Sequence, residues 1–456
     1  MFKVVLILLG VIMATQILYY GNKVLAQEHR GEALAFMQKL ENMKSLGKLD
    51  QIWSPVHTLK DGTTIRLQSI YDTQTIRITS PFEGKEIAKE EIMEAEFKEV
   101  VSAKEMLFAS VSIKDNPGTD YNHGIHKVER LSPATGGVIW SANHSVTAYN
   151  TTWTYLPSVT ANEHIVFSGA PSYADHTGTY VIDARTAGSG TLLWSKNVTA
   201  SLYGDTLIKC SASKLLHAYT GNATLYDTKG NLLWTTPLTN ITGDIRPQSA
   251  AFGNGLIYIS GTPNLGGPYT WFVIALNQDT GAEVWRRDVT HVVGIDHGAN
   301  GIAYTNGVLA VNGVGLLVDG VTAWYRIELL NSNTGAVIYY EDETHIRYSN
   351  WWVIKPSALR GKFFTGVIGV ANEERIYSLN DTGGTIWSNN ITDGSIYGYV
   401  SSVGNSKMFV GGWSYVGGYT RSTIKGLSKT DGSVVWTYTR PENYSMCWSI
   451  SSVVTR

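Results

Sequence analysis

The chain repeats one short motif at nearly even intervals, and this repeat constrains the fold more than any other feature. A glycine is followed four positions later by an aromatic residue, as in TGGVIW ending at Trp140 and TGAEVW ending at Trp285. Successive motif aromatics stand 40 to 54 residues apart, a period typical of stacked or radially arranged supersecondary units. The seven motif aromatics are Trp140, Trp194, Trp234, Trp285, Tyr339, Trp387 and Trp436.

Each repeat has the pattern of a small antiparallel sheet. Alternating segments such as LIYISG (256–261) predict strands, and an Asn/Asp-Thr-Gly sequence before the last strand predicts a tight turn. A four-stranded sheet cannot bury both of its faces alone, but units of this length arranged around an axis bury them against each other. We therefore predict an all-β propeller in which the flat motif aromatics dock each blade on the next.

The blade number and the propeller boundaries follow from the register of the repeat. The segment RITSPFEGKEIA (77–88) aligns with ERLSPATGGVIW (129–140) and predicts an eighth unit with Ala88 at the aromatic position. We predict eight blades over 48–456, with seven blades and a separate element at 48–95 as the alternative. The last segment, CWSISSVVTR, has the pattern of an innermost strand with no strands after it. We predict that it completes the first blade and closes the ring.

The first 47 residues predict a long helix that is hydrophobic in its first half and amphipathic in its second. Val4–Tyr20 carries no charge and is long enough to span much of a bilayer, and apolar residues then recur at helical spacing from Ala33 to Leu46. Three interpretations stand: a filament core, a membrane anchor, or a signal segment cleaved after Ala26. The side chains predicted to face an assembly or a membrane are Val4, Val5, Leu6, Leu9, Ile12, Ile17 and Leu18.

Two resemblances add expectations. The motif A-x-[DN]-x-x-T-G-x-x-x-W over about 50–456 resembles the tryptophan-docking repeat of PQQ-type β-propellers. That superfamily includes quinoprotein dehydrogenases with eight blades and non-enzymatic lipoproteins of outer-membrane assembly. The predicted helix over about 1–47 is first hydrophobic and then amphipathic, and it precedes a β domain. This arrangement resembles that of type IV pilin and archaellin-like subunits. This second resemblance implies helices bundled into a filament core, with globular heads facing outward.

The sequence offers no recognisable catalytic constellation. The quinoprotein resemblance implies a disulfide between adjacent cysteines, whereas the two cysteines here, Cys210 and Cys447, are far apart. The densest His/Asp cluster, at 291–297, is predicted to be a polar strand end. We predict no catalytic residue, no cofactor and no metal. Lys and Arg total 36 against 38 Asp and Glu, and this balance excludes a nucleic-acid binder of the usual basic kind.

Asn-X-Ser/Thr sequons predict a glycoprotein with most of its sugar on one face. Most of them fall after a motif aromatic or in the connection to the next blade, whereas Asn380 sits in a turn on the opposite face. A crowded glycan face leaves the other face or the rim for contacts. The candidate glycosylation sites are Asn143, Asn150, Asn197, Asn222, Asn240, Asn380, Asn390 and Asn443.

Taken together, these features predict a non-enzymatic protein of an archaeal cell surface. The favoured hypothesis is a pilin-like filament subunit that self-assembles through its N-terminal helix and displays a glycosylated propeller head for adhesion to a surface ligand or glycan. The alternative is a membrane-anchored propeller that acts as a scaffold or binding protein. A PQQ-dependent dehydrogenase is the third hypothesis, because a propeller fold by itself fixes no function.

Overall fold

In the structure, a computed structural model, the described residues form β-strands and tight turns. The residues that it describes are 56–58, 64–66, 68–69, 76–77, 105–114, 124–148, 157–172, 179–199, 206–240, 243–263, 270–290, 299–316, 322–346, 353–368, 374–391, 397–404, 407–416, 418–443 and 445–454. The chain divides into two compact units, one of Met1–Lys104 with Arg456 and one of Glu105–Thr455.

The first unit contains two short strand pairs within its described residues. Strand β1 (Val56–Thr58) pairs with β2 (Thr64–Arg66), and β3 (Gln68–Ser69) pairs with β4 (Ile76–Arg77), both antiparallel.

The second unit is a β-propeller, and its described residues form seven antiparallel sheets, numbered here as blades 1 to 7. Blade 1 contains β5 (Glu105–Lys114), β6 (Gly124–Leu131), β7 (Val138–Ala148) and the C-terminal β33 (Ser445–Val454). Blade 2 contains β8 (Ser158–Ala161), β9 (Ile165–Ser172), β10 (Thr179–Thr186) and β11 (Leu192–Thr199). Blade 3 contains β12 (Thr206–Cys210), β13 (Lys214–Tyr219), β14 (Asn222–Asp227) and β15 (Leu232–Pro237).

Blades 4 to 7 repeat this arrangement. Blade 4 contains β16 (Thr239–Asn240), β17 (Gly243–Gly253), β18 (Leu256–Pro263), β19 (Thr270–Asn277) and β20 (Glu283–Thr290). Blade 5 contains β21 (Ala299–Thr305), β22 (Val308–Leu316), β23 (Thr322–Asn331) and β24 (Val337–Ile346). Blade 6 contains β25 (Val353–Leu359), β26 (Lys362–Ile368), β27 (Glu374–Asn380) and β28 (Thr385–Ile391). Blade 7 contains β29 (Tyr397–Val403), β30 (Lys407–Val416), β31 (Tyr419–Ser428) and β32 (Val434–Thr439).

The C-terminal strand closes the ring. β33 pairs antiparallel with β5, from Ser445 opposite Ile113 to Val454 opposite Glu105, and so supplies the innermost strand of blade 1. Residues 445–454 and the first strand of the propeller therefore lie in one sheet.

The prediction of eight blades is wrong, and the seven-blade alternative describes the ring. The predicted eighth repeat, 77–88, begins in β4, which pairs with β3 in the first unit, and its remaining residues lie outside the described part of the chain. That repeat has Ala88 where a docking aromatic would stand, so it lacks the side chain that fastens one blade to the next. The closing strand instead joins the blade that begins at Glu105.

Apolar side chains fill every seam between consecutive blades. Seven clusters of buried residues are present in the described propeller, and each draws on two neighbouring blades. At the seam between blades 3 and 4, for example, Leu216 and Leu225 pack with Ile257, Phe272 and Leu276. The period-two alternation of the strands produces this result, because both faces of each sheet must be covered by a neighbour.

Candidate functional surface

The turn before the last strand of each blade is set by its own side chains. In blade 5 the Asn331 Oδ1 atom accepts hydrogen bonds from the backbone N–H groups of Asn333 at 2.9 Å and Thr334 at 3.2 Å. Gly335 follows with φ of +71°, a backbone conformation that L side chains rarely adopt. The Asn-x-x-Thr-Gly sequence is therefore the local reason for this turn, and it defines the motif face of the propeller.

A β-bulge follows the turn in all seven blades of the described propeller. In blade 4 Ala275 pairs with Trp285 and Leu276 pairs with Glu283, which leaves Val284 without a partner across the ladder. The bulged residues are Ile139, Leu193, Leu233, Val284, Ile338, Ile386 and Val435. All seven are exposed aliphatic side chains. A bulge on an outer strand interrupts the ladder that a second chain would otherwise extend.

The residue after each bulge is the motif aromatic, which contacts the motif turn of the next blade. The Trp285 indole Nε1–H donates to the Ser332 carbonyl at 2.9 Å, and a β-carbon at Gly335 would stand 2.8 Å from Cε3 of the same ring. Six tryptophans repeat this bond at 2.7 to 3.4 Å. Trp436 makes it to the Pro133 carbonyl, so the docking contact also joins blade 7 to blade 1.

Blade 5 departs from this pattern because its motif aromatic is a tyrosine. The Tyr339 ring still covers the glycine of the next turn, Gly383, but a tyrosine has no ring N–H. Its hydroxyl donates instead to Glu341 Oε2 at 2.8 Å, within the same strand. The seam between blades 5 and 6 therefore keeps the ring contact and lacks the indole–carbonyl hydrogen bond.

Two ion pairs that each contain a buried glutamate also cross seams in the described propeller. Arg440, after the last strand of blade 7, donates to Glu129 of blade 1, and both side chains are almost fully buried. Burial opposes the charge on Arg440, but hydrogen bonds to Glu442 and Glu129 outweigh it and raise the pKa of the guanidinium above its ordinary value. Arg287 of blade 4 pairs with the buried Glu328 of blade 5 at 3.2 Å.

The sequon asparagines occupy different environments. Asn143, Asn197 and Asn390 lie on the outermost strands β7, β11 and β28, three residues past the motif aromatic, with exposed side chains. Asn443 is exposed in the connection after blade 7, where its Oδ1 accepts two hydrogen bonds from Arg421 at 2.8 and 3.1 Å.

The other four sequon asparagines are less accessible or lie partly or wholly outside the described part of the structure. Asn222, at the start of β14, is half-buried. The Asn380 Oδ1 atom accepts hydrogen bonds from Thr382 N, Thr382 Oγ1 and Gly384 N at 2.8 to 3.0 Å, so this side chain is engaged in the motif turn of blade 6. Asn240 lies in β16 with its side chain outside the described atoms, and Asn150 lies outside the described residues.

Both thiols are free and poorly suited to nucleophilic chemistry. Burial raises the pKa of Cys210 to about 11, against an opposing hydrogen bond from Thr160, and raises the pKa of Cys447 to about 12. Since the thiolate is the reactive form, both cysteines are mainly protonated and weakly nucleophilic at neutral pH.

Several expectations fall outside the described residues. The predicted helix with Val4, Val5, Leu6, Leu9, Ile12, Ile17 and Leu18 lies there, as does the 291–297 cluster. In the described parts of the chain, no helix has the length and hydrophobicity to cross a bilayer. Within those same residues, no three His, Cys, Asp or Glu side chains are grouped so as to hold a metal ion.

Similarity to a solved structure supports the fold. No protein-family model and no curated protein sequence matches the chain. A hypothetical selenium-binding protein from Sulfolobus tokodaii is similar over 75% of this chain and 92% of its own, at 7% identity and a TM-score of 0.51. A quinohemoprotein alcohol dehydrogenase from Comamonas testosteroni is similar over 74% of this chain and 69% of its own, at 12% identity and a TM-score of 0.40. A protein of unknown function from Bacteroides caccae is similar over 76% of this chain and 98% of its own, at 12% identity and a TM-score of 0.38.

Proposed function

We propose that this chain is a non-enzymatic extracellular surface protein, a pilin-like filament subunit that displays a glycosylated β-propeller head. The observation that carries the proposal is the position of three sequons, at Asn143, Asn197 and Asn390. Their side chains are exposed on outermost strands, where an attached sugar projects into solvent. The uncharged run Val4–Tyr20 supports the second half of the proposal, because its length suits a helix packed among other helices or lipids.

The sequons also suggest which surface contacts a partner. The outermost strands start at the motif face and run away from it. Asn197 and Asn390 lie toward the far end of their strands, and Asn143 lies midway along β7. Asn443 lies beyond such a strand, in the connection to β33. Glycans at these sites leave the motif face uncovered, and in this proposal that face binds the surface ligand or glycan.

Glycosylation is tested by site occupancy. In protein purified from its own cells, we expect glycans on Asn143, Asn197 and Asn390 and none on Asn380, whose amide oxygen holds the motif turn of blade 6. Intact glycopeptide mass spectrometry measures the occupancy of each site, and Asn380 serves as the internal negative. Bare asparagines at all three exposed sites would remove the glycoprotein part of the proposal.

Filament assembly is tested by imaging and by one substitution. Material sheared from cells should show filaments by cryo-electron microscopy, with propeller heads around a helical core. Leu6→Asp should abolish the filaments, because a lone carboxylate in an apolar bundle costs several kcal/mol. The melting temperature of the propeller should stay at the wild-type value. Leu6→Ile, which keeps the position apolar, is the matched control and should assemble.

The outcomes separate the competing functions. Normal filament yield from Leu6→Asp would exclude the helix from the assembly. An absence of filaments, with wild-type protein retained in the membrane pellet and released by detergent, would favour the membrane-anchored scaffold instead.

A further inference from the structure

The seam between blades 1 and 2 carries a buried polar cluster in addition to its apolar core. His144 of β7 reaches across it, with Nε2 3.2 Å from the Ser168 carbonyl and 3.7 Å from Asp183 Oδ2. Arg185 of β10 reaches back, donating from Nη2 to the Asn143 carbonyl at 2.9 Å and to Asp183 Oδ2 at 3.1 Å. Blade 1 is thus fastened to blade 2 by a histidine and an arginine that share one carboxylate.

A second buried histidine stands behind the first. His126 of β6 lies where the ladder with β7 shifts from Ile125 opposite Thr147 to Lys127 opposite Asn143, so it faces the bulged residues 144–146. Its Nδ1 is 2.8 Å from Ser112 Oγ. His126 is 3% exposed and His144 is 7% exposed, so both rings are shielded from bulk water.

The hydrogen bonds define what a proton would do here. His144 Nε2 must carry a hydrogen to bond the Ser168 carbonyl, so its Nδ1 is the nitrogen left to be protonated. Both His144 Nδ1 and His126 Nε2 are buried without a hydrogen-bond partner in the described structure. The charged imidazolium carries a hydrogen on both ring nitrogens, so protonation of either ring leaves a buried N–H of a cation without an acceptor.

The surrounding charges do not stabilise the protonated forms of His126 and His144 enough to offset their burial. Among the described residues, the titratable and charged groups that face His144 are Asp183 and Arg185 from blade 2 and His126 from its own blade. Burial lowers the pKa of His144, Asp183 opposes this shift, and Arg185 adds to it. Burial, reinforced by His144, lowers the pKa of His126 to about 3. Both rings are therefore neutral in the closed seam at neutral pH.

We propose that the seam between blades 1 and 2 is an acid-sensitive latch, closed while His126 and His144 are neutral and opened locally when they gain protons. The direction follows from linkage. In the open seam each ring titrates near its ordinary pKa of about 6.5, whereas in the closed seam it resists protonation. The free energy that favours the closed seam is therefore largest above about pH 6.5 and decreases as the pH falls below that value.

The chain contains its own reference region for this behaviour. No histidine occurs after His345, so blades 6 and 7, from Val353 to Thr439, contain none. The seam between blades 2 and 3 does contain one, His217, stacked on Tyr180 at 5.7 Å between ring centroids. Burial lowers its pKa to about 3, so blade 3 is not a suitable reference.

Hydrogen–deuterium exchange of the full chain at pH 7.5 and 5.0 tests the latch. After correction for the pH dependence of chemical exchange, the opening constant of amides in β6, β7, β9 and β10 should rise about 30-fold from protonation of His126. Protonation of His144 should raise it further. Amides of blades 6 and 7 should change much less. Equal changes in both regions would overturn the proposal.

A variant without titratable side chains at positions 126 and 144 isolates the contribution of the two histidines. His126→Asn combined with His144→Gln keeps a polar atom near each bonded ring nitrogen, and the pH dependence of the seam should fall to that of blades 6 and 7. A seam that still opens in acid in this folded variant would assign the effect to other groups. If the double variant does not fold, His144→Gln alone is measured. Its opening constant should then rise less between pH 7.5 and 5.0 than that of the wild type, because only His126 still titrates. A rise equal to that of the wild type would count against the proposal.

Discussion

Replacement of Trp285 by alanine is expected to lower the free energy of unfolding by about 3–5 kcal/mol, the usual range for a large aromatic removed from a packed site. The ring lies between blades 4 and 5, 6.1 Å from the Tyr258 ring between centroids and in contact with Gly335. Its loss opens a cavity at the seam and removes the hydrogen bond to the Ser332 carbonyl. Urea denaturation followed by circular dichroism measures the difference.

The control for this substitution is present elsewhere in the ring. Trp285→Tyr reproduces the arrangement at Tyr339, where a ring covers the next turn without an indole N–H. It should lose about 1 kcal/mol, the value of one ordinary hydrogen bond. A loss from Trp285→Ala no larger than that from Trp285→Tyr would mean that the ring itself contributes nothing at the seam.

The glycine under the ring offers a complementary measurement. Gly335 and Gly255 have nearly the same backbone, with φ of +71° and +72°. A β-carbon at Gly255 would meet nothing within 4 Å, whereas one at Gly335 would stand 2.8 Å from Trp285. Alanine at either position therefore bears the backbone cost of about 1–2 kcal/mol, and only Gly335→Ala also displaces the docked ring. Equal losses from the two variants would contradict the docking contact.

The sequence was sufficient to predict the propeller because each repeat carries its own turn and strand signals. Alternating apolar runs and the Asn/Asp-Thr-Gly turn are local features, and a fixed period turns local features into an architecture. The blade number was harder to predict, because the segment 77–88 keeps the register and the glycine of the motif. The missing aromatic at Ala88 was the informative difference, since a blade without a docking ring lacks its main contact with the next.

The contents of the candidate surface could be predicted only in part. The sequons were visible, but the engagement of Asn380 in its own turn requires the backbone. The bulge at Val284 was missed because a bulge breaks the period-two alternation on which strand prediction rests. The His144–Asp183 contact was missed because it joins residues of two different blades, and no local pattern marks such a pair.

Arg440→Met is expected to lower the free energy of unfolding by about 3–5 kcal/mol, because it leaves a buried carboxylate without its cation. Glu129 is 1% exposed, and after the change its remaining described partner is Ser141, whose hydroxyl donates to Oε1 at 2.9 Å. Arg440 and Glu129 lie in blades 7 and 1, so the pair spans the junction where the ring closes. Thermal and urea unfolding of the two proteins measure the loss.

Two further variants separate the buried pair from its exposed neighbour. Glu442, the other partner of Arg440, has a side chain that is 39% exposed, so Glu442→Gln should cost less than about 1 kcal/mol. Glu129→Gln combined with Arg440→Met removes both buried charges and should recover much of the loss of the single variant. A double variant as unstable as the sum of its two single changes would contradict the uncompensated charge as the cause. It would assign the loss to the packing of the Arg440 side chain.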